Sequence, residues 1–254
     1  MKKLLLLVFG ICFYFCSFII CANADDVYYT NSNNVSMTKE EYDFFGEMYW
    51  DGYQEYVTEA LYNKCKTHGY FNSPIEKVEY DEDLNKSIIN PEPSRGLIHE
   101  TIAKRLTLAK TCTTYICFST VTLQWKGDPN IKSYDVIGAL LYGNITLLDE
   151  PDTTLHYSGG NLYYGDEYYV GDGFGTSVKL QNSSSNMVIS QSYEISGSGT
   201  LYASYQHATK NITKATSQKY TVGFGGYGGV FHFYGAAVGK FDQMGGVYAT
   251  VSTS

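Results

Sequence analysis

Beyond residue 22 the chain has no apolar run long enough to span a bilayer, so no later segment reads as a transmembrane helix. Proline is scarce, at five residues, and three of these fall at 74, 91 and 93. Basic residues are also short, 18 against 26 acidic ones, for a net charge of −8. With no basic patch, nucleic acid and anionic lipid are poor partners for this surface. The acidic excess is concentrated between residues 25 and 96, whereas the remainder is close to neutral. Cysteine is sparse as well: six in all, three of them at positions 12, 16 and 21. A densely cross-linked miniature scaffold is therefore excluded, and a hydrophobic core has to hold the fold together.

What the N-terminus does contain is an export signal. Met1-Lys2-Lys3 supplies positive charge, residues 4–20 are almost wholly apolar, and Ala22-Asn23-Ala24 has the small-x-small pattern of a signal-peptidase site. Cleavage between Ala24 and Asp25 is the expectation, with retention of the run as a membrane anchor as the alternative. Cleavage takes Lys2 and Lys3 away, moving the net charge from −8 to −10. It leaves Cys65, Cys112 and Cys117, enough for one internal disulfide.

Residues 25–65 read as a polar start followed by a helical hairpin. The asparagine-rich stretch 25–36 is expected to be mobile. Thr38 and Glu41 fit a capping box, and Tyr42, Phe45, Tyr49, Tyr53 and Tyr56 then recur at helical spacing. Asp51-Gly52 is a candidate break, and Val57-Thr58 repeats the start signal. The aromatic stripe is expected to be a packing face. Residues 66–96 read as a linker that partly packs on its neighbours, with the boundary near Ser94–Gly96.

From residue 97 onward the periodicity changes to two. Leu106 and Leu108 alternate with polar residues, as do Tyr115, Cys117, Val121, Leu123 and Trp125. Turn signals then recur every eight to fifteen residues, including Gly159-Gly160, Gly171-Asp172-Gly173, Gly197–Gly199 and Gly245-Gly246. The strands between them include 153–158, 162–170, 176–181, 187–195, 200–208, 219–224, 230–238 and 247–252. Many short strands at this spacing predict a mainly β chain: an antiparallel two-sheet β-sandwich over 97–254, preceded by the short helical hairpin. Cys112 and Cys117 flank a hairpin turn, which makes them the candidate disulfide in an exported protein.

The most distinctive stretch is Trp125-Lys-Gly-Asp-Pro-Asn-Ile-Lys-Ser-Tyr-Asp-Val-Ile-Gly138. Together with Met37-Thr-x-x-Glu-Tyr42 it resembles an uncharacterised family of exported Gram-positive bacterial proteins, with Lys132 standing where the family has arginine. The resemblance implies export and a β domain, and no known activity. From the residues alone, 127–130 is turn chemistry, and Asp135 is expected to pair with Lys132 or to cap a turn.

Catalytic patterns fail on inspection. His99-Glu100 lacks the second histidine of a zinc-protease motif. Gly223–Gly228 matches G-x-G-x-x-G but opens no helix. Ser196–Gly199 is no nucleophile elbow. No catalytic, metal or cofactor-binding residue is therefore assigned, apart from acidic loops at 149–152, 166–167 and 172 that are candidates for calcium. Exposed tyrosines, including Tyr163-Tyr164 and Tyr168-Tyr169, are candidates for stacking on sugar rings. The leading expectation is a secreted or cell-surface, non-enzymatic binding protein for a glycan or protein. The alternatives are a glycan hydrolase, favoured by facing carboxylates in an open groove, and a membrane-inserting β protein.

Overall fold

The computed structural model describes residues 27–83, 86–87, 104–181, 186–224, 229–242 and 244–253. The expected leader and cleavage site, His99-Glu100, the expected boundary at 94–96 and part of the 223–228 glycine motif lie outside these residues.

The described residues open on a small hairpin, β1 (Tyr29–Thr30) and β2 (Ser36–Met37). Its turn was expected to be mobile, and Asn31 is the reason it is folded. The Asn31 amide donates to the carbonyls of Gln54 (2.9 Å) and Val57 (2.8 Å), and its oxygen accepts from the backbone N–H groups of Asn33 and Val35, both at 3.0 Å. A polar composition does not keep a segment loose when one buried amide is satisfied on both sides.

Helix α1 (Lys39–Met48) starts at the capping box, with Thr38 accepting from the Glu41 N–H and Glu41 accepting from that of Thr38. It ends before Gly52, whose φ of 102° only glycine adopts readily. A 3-10 turn (Tyr53–Tyr56) follows, then α2 (Glu59–His68), capped by Thr58 and closed by the left-handed Gly69. The hairpin buries Phe45, Met48, Tyr49, Tyr53, Cys65 and Tyr70 against Ala109 and Phe118 of the sheet. The aromatic stripe is thus a packing face, although Tyr56 at its end stays exposed.

The segment read as linker holds a strand, β3 (Ile75–Asp83), followed by β4 (Lys86–Ser87). Six charged residues among its nine disguised β3, but eight of its residues pair with β5 (Lys104–Cys112). Next come β6 (Cys117–Trp125) and the fourteen-residue β7 (Tyr134–Leu147). Then follow β8 (Asp152–Tyr157), β9 (Gly160–Tyr164), β10 (Glu167–Val170), β11 (Gly173–Lys179) and β12 (Val188–Gln206). The last strand, β15 (Val247–Ser252), follows the hairpin described below.

Strand β12 makes the sandwich. Sequence reading placed a turn at Gly197–Gly199 between two strands; instead one nineteen-residue strand runs through. Its first half pairs with β6 and β8, and its second half with β7 and β15. The partner change falls at Ile195, which pairs with both Cys117 and Leu147. Gly197 (φ 102°) sits so close to β7 that a Cβ would lie 1.9 Å from the carbonyl oxygen of Asn144. The glycines mark a bend where strands approach closely, not a reversal. Through β12 the eleven strands are hydrogen-bonded into one antiparallel sheet, which divides there into a first sheet, β4-β3-β5-β6-β12-β8-β9, and a second, β10-β11-β7-β12-β15. Leu106, Leu108, Val121, Leu123, Ile137, Phe174, Ile189, Tyr193, Leu201 and Val251 fill the core between them.

Both sheets are also covered outside. The helical hairpin covers the first sheet, so Thr107, Thr120, Ser190, Ser192 and Glu194 are buried although they face away from the core. Thr120 donates to the Met48 carbonyl, and Thr111 to that of Ser73 (3.3 Å). The second sheet carries the segment after β12: a short helix α3 (Lys214–Ser217), then β13 (Tyr220–Val222) and β14 (Phe231–Phe233), which pair only with each other among the described residues. These were expected to be strands of the sandwich. Their place is set by side-chain-free ground on β11, where a Cβ on Gly175 would lie 2.6 Å from the Tyr220 hydroxyl and one on Gly173 2.3 Å from Val222. Tyr220 donates to the Gly175 carbonyl (3.0 Å).

Candidate binding groove

A groove of about 540 Å³ opens where α1 overhangs the first sheet without covering all of it. The helix side contributes Asp43, Gly46, Glu47, Tyr49, Trp50, Asp51 and Gln54; the sheet side contributes Lys77, Glu79, Arg105, Thr107 and Gln124. Helical spacing explains the first set. With Phe44, Phe45 and Met48 turned to the sheet, Asp43 and Glu47 fall on the exposed flank one turn apart. Gly46 gives the wall its shape, because a Cβ there would sit 2.2 Å from the Gln54 amide nitrogen. Gln54 is held in turn by the Gly52 N–H donating to its side-chain oxygen at 2.8 Å.

The sheet side comes from three strands that are remote in sequence. Lys77 and Glu79 form a loose ion pair (3.8 Å), and Thr107 lies 3.5 Å from Glu79. Four carboxylates and two cations line the opening, so it is acidic on balance. Its aromatic wall is Trp50, edge-on to Tyr53 (4.7 Å) and to His156 (4.6 Å). His156 completes a box with Trp50, Tyr53 and Tyr56. Burial there lowers its pKa to about 4 against a hydrogen bond to Asn161, which keeps the imidazole neutral at physiological pH.

Two further polar clusters lie elsewhere. Glu194 is held by His68 (2.6 Å) and Tyr70 (2.7 Å), with Lys64 at 3.6 Å. Lys64 also contacts Asp149, which accepts from the Glu194 N–H (2.6 Å) and so ties α2 to the sheet. Beside it, burial raises the Cys65 thiol to about 12, an inert setting. The second cluster is wholly enclosed. Asp135 does not serve Lys132, which lies 3.7 Å from Asp128; it points inward to Tyr205, to His207 (3.0 Å) and to the Ala208 N–H (2.9 Å). Asp242 accepts from the His207 N–H (2.8 Å) and contacts Lys104. Trp125 stands edge-on to His207 at 4.8 Å. The Trp125 and Asp135 of the distinctive stretch thus meet around one buried histidine.

Cys112 and Cys117 form a disulfide across the β5–β6 turn, with Cα atoms 4.0 Å apart, and Cys65 is a buried free thiol. The acidic loops are not gathered into a cation site. Asp149 serves Lys64, Asp166 contacts Lys214, and no three metal-binding side chains converge among the described residues. Tyr163 and Tyr169 are exposed, whereas Tyr164 is half-buried and donates to the Lys179 carbonyl (2.8 Å). No described helix is long and apolar enough to cross a membrane.

The groove was not legible in sequence, because its walls join residues 43–54 to 77–79 and 105–124. The one available signal was the acidic flank of α1 opposite its aromatic stripe.

No protein-family model and no curated protein sequence matches the chain. Among solved structures it is similar to the KRT10-binding region domain of the pneumococcal serine rich repeat protein PsrP, at 13% identity and a TM-score of 0.28, over 52% of this chain and 88% of that one. It is also similar to the collagen binding domain of the Erysipelothrix rhusiopathiae surface protein RspB, at 6% identity and a TM-score of 0.26, over 61% of this chain and 67% of that one. Both scores are too low to establish a shared fold.

Proposed function

We propose that this is an exported bacterial binding protein, secreted or held at the cell surface. On this reading its groove takes an extended, cationic segment of an extracellular protein. The observation that carries the reading is the pairing, in one open groove, of the Trp50 ring with Asp43, Glu47 and Asp51. An aromatic face beside carboxylates is suited to lysine or arginine side chains through cation–π attraction and charge. The leader and the resemblance to exported Gram-positive proteins support the location, as does a disulfide, which persists in oxidising compartments.

The test uses tryptophan emission. Trp125 is sealed in the core, so a change on titrating lysine- or arginine-rich extended peptides reports Trp50. Saturable quenching that weakens with salt, and is lost in Trp50→Ala and Glu47→Lys, is the expected result. An absence of quenching by cationic peptides, with emission still sensitive to general quenchers, would overturn the proposal.

A second reading, glycan hydrolysis, has one observation in its favour: carboxylates stand on both walls, Asp43 and Glu47 facing the side of Glu79. A glycosidase needs one of its pair kept protonated by burial; among the described residues burial raises the carboxyls of Asp152 and Glu167, which lie outside the groove. Reducing-sugar release that is abolished in Glu79→Gln would establish this reading instead.

A further inference from the structure

Lys104 opens β5, the first strand described after the helical layer and β3–β4, and Asp242 lies just ahead of the last strand, 138 residues away. Their side chains are in direct contact and essentially unexposed, at 0% and 1%. Burying such a pair strips both charges of water before their attraction is counted. Moving one proton from ammonium to carboxylate removes both charges and leaves a free amine against a carboxylic acid. These are the two reactants of an amide bond, and they are held in one place in a water-poor pocket. Such placement replaces a bimolecular encounter with effective molarities of roughly 10⁵ M or more.

The surroundings supply the remaining parts. The His207 N–H donates to Asp242 Oδ1 at 2.8 Å, where negative charge would build as the carbonyl carbon becomes tetrahedral. The His207 imidazole is oriented by Asp135, 3.0 Å from Nδ1, and its Nε2 is buried without a hydrogen-bond partner. With an aspartate on one ring nitrogen, the neutral ring has a lone pair on the other, which is the arrangement of a general base. Lys104 is near enough for its charge to oppose that of His207. The Trp125 ring, 5.6 Å from Lys104 Nζ, walls the site.

We propose that Lys104 and Asp242 condense into an intramolecular isopeptide bond, with His207 as general base positioned by Asp135. His207 Nε2 takes one proton from the Lys104 ammonium, and the amine adds to Cγ of Asp242. The N–C bond forms, one C–O bond breaks, and the departing oxygen leaves as water with the proton returned by His207 and a second from nitrogen. No oxidant or cofactor enters the balance. The product ties the start of β5 to the segment that leads into the last strand, so the sandwich is closed covalently near both ends.

Peptide mapping of the secreted full chain decides the matter. The expected result is a joined pair of tryptic peptides, uncleaved at Lys104, one water lighter than their sum. Lys104→Arg should release two separate peptides and raise the intact mass of the otherwise identical chain by the lost water in addition to the substitution. Asp242→Asn, which loses ammonia instead of water, should give a cross-link identical to that of the wild type. In a time course after refolding, His207→Gln should slow formation roughly a hundredfold or more. If the wild type is cleaved normally at Lys104 and yields only unjoined peptides, the proposal is wrong. Circular dichroism of each variant separates loss of the bond from loss of the fold.

Discussion

Asp135 on β7 and His207 at the end of β12 meet at 3.0 Å with neither side chain exposed to solvent. Around them the Tyr205 hydroxyl and the Ala208 N–H also bond Asp135, so one carboxylate fixes Tyr205, His207 and Ala208 beyond the bend of β12. Removing it strands a buried imidazole and phenol together. Asp135→Ala is therefore expected to cost about 3–5 kcal/mol, read as a shift of the urea midpoint at pH 7. A change below about 1 kcal/mol would show that the cluster contributes little.

The two buried histidines bend the pH–stability curve in opposite directions. His156 is boxed by Trp50, Tyr53 and Tyr56, with Asn161 and Ser190 as its polar neighbours. Its folded pKa of about 4 lies below the unfolded 6.5, so the unfolded chain binds the proton first as pH falls. Stability is complete above pH 6.5 and is lost progressively down to about 4, by about 3 kcal/mol. For His207, burial opposes charge but the Asp135 carboxylate outweighs it, and the folded pKa is raised. Its contribution is complete below 6.5 and fades as pH rises through the folded value. His156→Gln should flatten the acid limb between pH 6.5 and 4 and leave the alkaline side unchanged, as measured by thermal melts across pH.

The Cys112–Cys117 bridge closes a short loop, five residues in separation. Chain-entropy reasoning gives about 2 kcal/mol for so small a ring, a figure that depends on the model. Denaturant midpoints of the wild type and of Cys112→Ser/Cys117→Ser should differ by this amount. In the oxidised chain cleaved after Ala24, thiol reagents should label only Cys65, and only on unfolding, because its thiol is buried and raised to about 12.

Gly197→Ala tests the bend of β12. The position combines a φ of 102° with backbone oxygen 1.9 Å from the added carbon, so neither rotation nor side-chain movement relieves it. A loss on the order of 3 kcal/mol or more is expected. Gly46→Ala should cost less, because the obstructing atom there is the end of the Gln54 side chain. Paired melting curves that ranked the two the other way would refute the assignment of the bend.

The sequence by itself determined the strand-rich chain, the capping box at Thr38, the helix break at Gly52 and the hairpin turn between Cys112 and Cys117. Each depends on neighbours within a few residues. It misjudged features whose cause is distant. Residues 75–83 look like charged linker because half of their environment is supplied by β5. The Ser and Thr positions of β6 and β12 look solvent-facing because the helices that bury them lie far upstream. Residues 219–224 and 230–238 look like sandwich strands, yet Gly173 and Gly175 make room for β13 and β14 as an outer cover. The groove and the buried Lys104–Asp242 pair arise only when remote strands pack together. Periodicity records which face of an element is polar, whereas tertiary packing decides whether that face meets water, a helix or an opposite charge.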